Sequence, residues 1–143
     1  MLDRTYTAIG LFGRRHRIRK STEFKRVFKF GHRAHGDRLR IVAAVPSNPS
    51  RQHSRLGLAI SKKSGNAPRR ARIRRLLREA FRGLRSDFTR PVDLVVTSNG
   101  PWPEASMQQM QSALKDLLDR LDWANLHAPP KRRRRRGPRR QRS

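Results

Sequence analysis

The sequence has no cysteine and is poor in acidic residues. Without cysteine, neither a disulfide framework nor a thiolate metal site can form. Only 10 of the 143 residues are acidic, and none of them form a convincing pair for general acid–base catalysis. The five histidines are scattered and show no metal-ligand spacing. We therefore expect no catalytic residue and no metal site in the protein itself, so any chemistry that it serves lies elsewhere.

Long apolar segments are also missing. Hydrophobic residues make up 34% of the chain, and no run approaches the roughly 20 residues of a membrane-spanning helix. The short apolar stretch at 9–12 is not long enough for a secretory signal. We expect a cytoplasmic protein with a small core, no membrane partner and no small-molecule substrate.

Positive charge is what the sequence has in excess. Lysine and arginine number 36, which gives a formal net charge of +26. Residues 129–143 hold 9 of these and no acid, so residues 1–128 keep 27 basic against 10 acidic residues, or +17. Self-repulsion of this size destabilises a compact chain unless a polyanion compensates it. The candidate partners are nucleic acid, an anionic membrane surface and an acidic protein.

Composition divides the chain into three segments. We predict a disordered basic arm at residues 1–14 and a folded domain at residues 15–127. Residues 128–143 are rich in proline, glycine and arginine, and we predict that they form a disordered tail. Within the domain, periodicity predicts a short helix capped by Ser21 and ended by Gly31. It further predicts strands at 39–45, 56–61 and 92–97, a helix at 66–84, and a Met/Leu-rich helix at 107–121.

The helix at 66–84 carries most of the functional information. Asn66 is suited to cap it, and Pro68 is tolerated in a first turn. One face is apolar and buried, formed by Ile73, Leu76, Leu77, Ala80 and Leu84. A second side carries arginines at steps of four, which are Arg70, Arg74, Arg78 and Arg82.

Like charges at this spacing destabilise an isolated helix by about 0.2–0.5 kcal/mol per pair, and a phosphate array reverses that cost. The arginine fork suits the task because it makes paired hydrogen bonds to phosphate oxygens. The alternative is a solvated basic face with no specific ligand. We predict that RNA is bound by the basic residues of this helix and the turn before it, namely Lys62, Lys63, Arg69, Arg70, Arg72, Arg74, Arg75, Arg78 and Arg82.

The first helix has two aromatic residues on one face, Phe24 and Phe28. Either both belong to the core, or one forms a partly exposed platform on which unpaired bases stack. In the second case Arg17, Arg19 and Lys20 lie at the entrance of the platform. One aromatic ring can serve each purpose.

Three stretches of this sequence resemble the signature of the bacterial ribonuclease P protein family. Residues 55–67 contain Gly-Leu-Ala-Ile-Ser-Lys-Lys, which resembles the family's Gly-Leu-x-x-Ser-Lys-Lys strand and turn. Residues 70–82 resemble its helix, which opens Arg-Asn-Arg and continues basic-basic-x-x-Arg-Glu. Residues 17–31 resemble its opening helix with paired phenylalanines. The resemblance covers roughly residues 15–122.

The resemblance implies an α+β fold, an α-β-β-β-α-β-α two-layer sandwich with a left-handed βαβ crossover of the type seen in a ribosomal-protein domain. It also implies a protein subunit of ribonuclease P, which removes the 5′ leader of precursor tRNA. The partners would be the catalytic RNA, against the arginine-rich helix, and precursor tRNA, whose leader would lie in a cleft with Phe24 and Phe28. Magnesium ions would be bound mainly by the RNA, where hydrolysis occurs.

The sequence departs from the family pattern at two positions. Ala71 replaces the asparagine of Arg-Asn-Arg, so an amide and its hydrogen bonds are missing. Pro68 replaces an aliphatic residue, which predicts a helix start one or two residues later. The arginine-rich segment 131–142 lies outside the resemblance and is interpreted as a non-specific polyanion tether, with a solvated tail of no functional consequence as the alternative. Two other hypotheses are a structural RNA-binding module of ribosomal-protein type and a cationic membrane-surface protein.

Overall fold

The computed structural model describes residues 13–48, 50–88, 90–98, 100–102 and 106–126. The predicted arm at 1–14 and tail at 128–143 lie almost entirely outside these residues. The helices are α1 (Ser21–Phe30), α2 (Ala67–Leu84), α3 (Met107–Arg120) and the short α4 (Trp123–Leu126). The strands are β1 (His32–His35), β2 (Leu39–Ala44), β3 (Arg55–Ala59) and β4 (Asp93–Ser98).

The four strands form one sheet in the order β1-β2-β4-β3. The pairs β1–β2 and β2–β4 are antiparallel, while β3 and β4 run parallel and are joined through α2. The α+β class and the element order α-β-β-β-α-β-α are confirmed, with α4 added at the end. The left-handed sense of the β3–α2–β4 crossover stays a prediction.

One face of the sheet packs against α2 and α3 and holds most of the core. Ile73, Leu77 and Phe81 of α2 are buried there together with Met110 and Leu114 of α3. From the predicted apolar stripe of α2, Leu76 is only partly buried, and the fully buried Phe81 was not predicted. The buried stripe is wider than predicted because α2 packs against α3 as well as the sheet.

The opposite face of the sheet is covered in part by α1. Val27 of α1 is buried against Val42 and Val95 of the sheet, with Phe24 and Phe28 packed at the edge of this smaller cluster. The predicted two-layer arrangement describes the sheet and the α2–α3 layer, and α1 adds a helix on the second face. Since one short helix cannot cover four strands, part of this face stays open.

The chain enters the domain along the edge strand β3. Residues Arg14–His16 form a single 3₁₀ turn, and the backbone N–H of Ile18 donates to the carbonyl of Leu56 at 2.9 Å. His16 and Ile18 are buried. This segment therefore satisfies backbone groups of the edge strand that would otherwise remain unpaired.

The helix starts test three sequence predictions. Asn66 caps α2 as predicted, because its Oδ1 accepts the backbone N–H of Arg69 at 3.0 Å. The helix begins at Ala67 with Pro68 in its first turn, so the predicted later start is wrong. The predicted Ser21 cap is also wrong, since α1 begins at Ser21 and Lys20 occupies the cap position without a side-chain cap.

None of the helices in the described part of the chain is long and apolar enough to cross a membrane.

Candidate nucleic-acid interface

The basic turn before α2 is anchored to the end of β4. Lys62–Ser64 form a 3₁₀ turn, and the two lysines are exposed. The buried Ser98 hydroxyl lies 2.5 Å from the Ser64 hydroxyl and accepts the backbone N–H of Ser61 at 3.0 Å. These bonds fix the backbone of the turn, so the lysine side chains leave it from a defined position.

Glycine at position 65 lets the turn lead directly into α2. Gly65 has φ 147°, which side-chain-bearing residues rarely adopt. A Cβ there would also lie 2.5 Å from Cδ of Arg69. The turn and the first arginine of the helix therefore approach more closely than any other residue at this position would permit.

The arginine ridge consists of the four arginines of α2 at steps of four residues. All four are partly exposed, while the remaining arginines of the helix, at 69, 72 and 75, are exposed. The geometry predicted for this helix is therefore present, with seven arginines and a single acid in α2. Helix α3 carries no net charge, because its two acidic and two basic side chains balance. The ridge members are Arg70, Arg74, Arg78 and Arg82.

Individual members of the arginine ridge have different surroundings. Arg82 donates to Glu79 at 2.6 Å, so the only acid of α2 neutralises the C-terminal member. The Nε of Arg70 is buried and has no hydrogen-bond partner among the described residues. Burial lowers the pKa of Arg78, and the charges of Arg17 and Arg74 lower it further. The repulsion at Arg78 and the unused donor of Arg70 favour an anion beside the first three members of the ridge.

Arg17 and Arg19 lie beside the arginine ridge. With Arg74 and Arg78 they line a hollow of about 220 Å³ whose floor includes Leu56 and Leu58 of β3. The prediction had placed Arg17 and Arg19 at the entrance of an aromatic cleft with Lys20. The structure places them at the ridge because residues 17–18 pair with β3 at Leu56, and α2 is the next helix after this strand.

A cleft of about 430 Å³ occupies the open part of the α1 face of the sheet. A row of paired residues, His35, Arg40, Thr97 and Ala59, crosses the four strands beneath it. Phe28, Arg33 and Lys63 line the cleft as well. None of the described residues that line it is acidic, so it is a cationic groove with one phenyl ring, that of Phe28.

Phe24 and Phe28 have different environments. Phe28 lines the cleft, and Arg33 donates to its carbonyl at 2.8 Å with the guanidinium carbon 5.9 Å from the ring centre. Phe24 packs over Gly57, where a Cβ would come within 2.9 Å of its ring, and beside Ile18. Phe24 is not among the described residues that line the cleft, although it was predicted there with Phe28.

Three residues of the cleft were missed by sequence reasoning. Arg33 and His35 lie on β1 and Arg40 on β2, with His35 directly opposite Arg40. For Arg33 and His35, the signal that could have found them is their alternation with the buried Ala34, because it places both side chains on the open face of the sheet. A four-residue strand with one apolar residue is too weak a pattern to read from sequence.

Within the described ranges, no three histidine or carboxylate side chains come together where they could hold a metal ion. Two of the acids form ion pairs, Glu79 with Arg82 and Asp93 with three arginines.

A mixed α+β domain with an arginine-rich helix on one side of its sheet and a cationic cleft on the other defines a nucleic-acid-binding protein. A sequence model of the family described as Ribonuclease P matches residues 12–122. The chain belongs to the ribonuclease P protein family, whose members are protein subunits of that tRNA-processing ribonucleoprotein.

Individual relatives agree with this assignment. The chain is 30% identical over 109 residues to the ribonuclease P protein component of Clostridium novyi, covering 76% of this chain and 96% of that protein. It is 32% identical over 108 residues to the component of Staphylococcus aureus, covering 76% and 90%.

Solved structures show the same fold. The S. aureus ribonuclease P protein superposes with a TM-score of 0.64 at 31% identity, over 73% of this chain and 93% of that chain. The Thermotoga maritima protein gives a TM-score of 0.64 at 24% identity, over 74% and 97%.

Proposed function

We propose that this chain binds the catalytic RNA of ribonuclease P through the arginine ridge and the lysine turn, and holds the single-stranded 5′ leader of precursor tRNA in the cleft. The observation that most supports the proposal is the position of Lys63. It lines the cleft and lies in the turn that leads into α2. Two cationic surfaces are therefore joined by one anchored turn, so two RNA partners can be held in a fixed relation.

The arginine ridge suits the backbone of a folded RNA. Its charges are spaced along one helix side, and phosphate contacts of this kind position a protein without reading sequence. The loss of the family's asparagine at Ala71 removes one amide but none of the guanidinium groups. The ridge therefore supplies affinity that depends strongly on salt.

The cleft suits a single strand. Arg33, Arg40 and Lys63 provide charge for the backbone, and the ring of Phe28 provides a surface for stacking. Stacking on an aromatic ring tolerates any base, because every base has a π face. A leader of variable sequence can bind on these terms.

Hydrolysis in this proposal is carried by the RNA subunit, with Mg²⁺ bound mainly by that RNA. The protein supplies positive charge between two polyanions, the catalytic RNA and the substrate. Because Mg²⁺ also screens this repulsion, the benefit of the protein is expected to be greatest when Mg²⁺ is scarce. A cytoplasmic location is expected for this role.

Reconstitution tests the proposal. Ribonuclease P RNA and precursor tRNA are mixed at low Mg²⁺ with and without the full chain, and the cleavage rate is measured. We expect the protein to raise the rate, and the rise to shrink as Mg²⁺ increases. No rise at any Mg²⁺ concentration would contradict the proposal. RNA binding without a rise would instead indicate a structural RNA-binding module.

A further inference from the structure

A second cationic cavity, of about 320 Å³, lies beyond the C-terminal end of α2. The first turn of the described chain, the loop before β3 and the residues between α2 and β4 enclose it. Its polar lining consists of Arg15, His16, Gln52, His53, Ser54, Arg85, Ser86 and Arg90. Phe88 and Pro91 complete it, and its described lining includes no carboxylate.

The two histidines of this cavity are held by hydrogen bonds. Nδ1 of His16 accepts the backbone N–H of Gly13 at 3.1 Å, so the neutral ring carries its proton on Nε2. Nε2 of His53 lies 3.1 Å from the carbonyl oxygen of Arg15, and the two rings meet edge to face at 5.3 Å. The first turn and the loop before β3 are thereby fixed to each other around the cavity.

The groups around the cavity repel one another. Burial, followed by the charges of Arg85, Arg15 and His53, lowers the pKa of His16 to about 4. Burial also lowers the pKa of Arg85, with further contributions from Arg82 and Arg15. A bound anion would relieve this repulsion, and the cavity offers guanidinium, imidazole and hydroxyl donors to receive it.

The cavity continues the cationic surface of α2. Arg85 follows Arg82, the last member of the arginine ridge, and Arg15 precedes Arg17, which lies beside Arg74 and Arg78. The arginines of residues 15–19 and those of α2 therefore form two neighbouring basic rows. Each row ends at the cavity, the first at Arg15 and the second at Arg85.

We propose that this cavity is a phosphate-binding site that holds a backbone phosphate of the bound RNA at the end of the arginine ridge. The assignment of the phosphate to RNA rests on the proposed function. The ability of the cavity to bind a phosphate is independent of the proposed function, because inorganic phosphate presents the same oxygens to the same donors.

Inorganic phosphate tests the cavity directly. The imidazole NMR signals of His16 and His53 in the full chain are followed during a phosphate titration at constant ionic strength, for wild type and for R15A/R90A. Both arginines are exposed, so the double variant should fold. R14A is the control, because Arg14 is exposed and adjacent but is not part of the described lining.

We expect saturable shifts in the wild type and in R14A, and at least a tenfold weaker response in R15A/R90A. Equal responses in all three proteins would overturn the phosphate site. A charge-preserving variant, R15K/R90K, guards against misfolding and should keep most of the response.

The source of the phosphate is tested with ribonuclease P RNA. The dependence of log K on log salt should fall by about 0.7–0.9 in R15A/R90A for one lost phosphate contact, and stay unchanged in R14A. An unchanged slope in R15A/R90A would overturn the RNA assignment and leave a small-anion site. If the chain fails to stimulate cleavage, only the proposed function fails, because the phosphate titration is read without RNA.

Discussion

Arg55 and Asp93 lie opposite each other in the parallel strands β3 and β4, and the guanidinium holds both oxygens of the carboxylate. The two distances are 3.1 Å to Oδ1 and 2.9 Å to Oδ2. Asp93 is fully buried and also accepts from Arg26, at 2.7 Å, and from Arg51. Arg55 in turn bonds Glu23 of α1 at 3.0 Å. One buried acid therefore ties β4 to β3, to α1 and to the loop before β3.

We expect Asp93→Asn to destabilise the fold by about 3–5 kcal/mol, because three arginines would lose the charge that compensates them. Urea unfolding followed by circular dichroism measures the change. Asp116→Asn is the control, since Asp116 pairs with Arg120 at the surface and should cost less than about 1 kcal/mol. Similar costs for both variants would show that the buried network is not needed for stability.

Gly57→Ala should loosen α1 from the sheet. The new Cβ would lie 2.9 Å from the ring of Phe24, so the ring or the helix that carries it must shift, at a cost of about 1–3 kcal/mol. Gly83→Ala provides the comparison, because its Cβ would meet nothing closer than 3.6 Å and lies in a helix. That change should be neutral or stabilise by up to about 1 kcal/mol. The urea unfolding midpoint should fall for Gly57→Ala and should stay the same or rise for Gly83→Ala. A Gly57→Ala protein as stable as the wild type would contradict the packing described for Phe24.

Phe28→Ala should weaken binding of leader-bearing precursor tRNA to the reconstituted enzyme without affecting mature tRNA. A lost stacking contact is worth about 1–3 kcal/mol, or roughly 5- to 150-fold in affinity. Phe30→Ala serves as control, since Phe30 lies on the same helix, is 64% exposed and is absent from the described lining of the cleft. Equal losses for precursor and mature tRNA would indicate damage to the fold and no contact with the leader.

Arg74→Ala/Arg78→Ala should weaken binding to ribonuclease P RNA and flatten its salt dependence. Two lost phosphate contacts lower the log–log slope by about 1.8 on duplex RNA, and by less on single strands. The matched control removes the same charge from α3, as Lys115→Ala/Arg120→Ala, and should leave the slope near that of the wild type. If both pairs flatten the slope equally, the effect reports net charge and not contacts of the arginine ridge.

The sequence predicted α2 well because several local signals agree there. The apolar stripe around Ile73 and Leu77 and the arginines at steps of four follow from a period of 3.6 residues, and Asn66 stands directly before this segment as a residue suited to cap it. The strands at 39–45, 56–61 and 92–97 were also placed within two residues of their observed bounds.

The cleft could not be predicted in the same way, because it depends on pairing between distant segments. His35 meets Arg40 through a tight hairpin, but Arg40 meets Thr97 only through the register of β2 and β4. The separate roles of Phe24 and Phe28 likewise depend on Gly57, which is distant in sequence and makes room for one ring only. Residues 15 and 90 share a cavity for the same reason.

Directed hydroxyl-radical probing tests most directly whether α2 rests on the catalytic RNA. The chain has no cysteine, so Arg72→Cys and Ser112→Cys each give a single attachment site for an iron chelate, on the exposed surfaces of α2 and α3. In complexes with ribonuclease P RNA, we predict discrete strand cuts from position 72 and none above background from position 112. Cuts from position 112 alone, or equal diffuse cutting from both, would contradict the placement of RNA on α2.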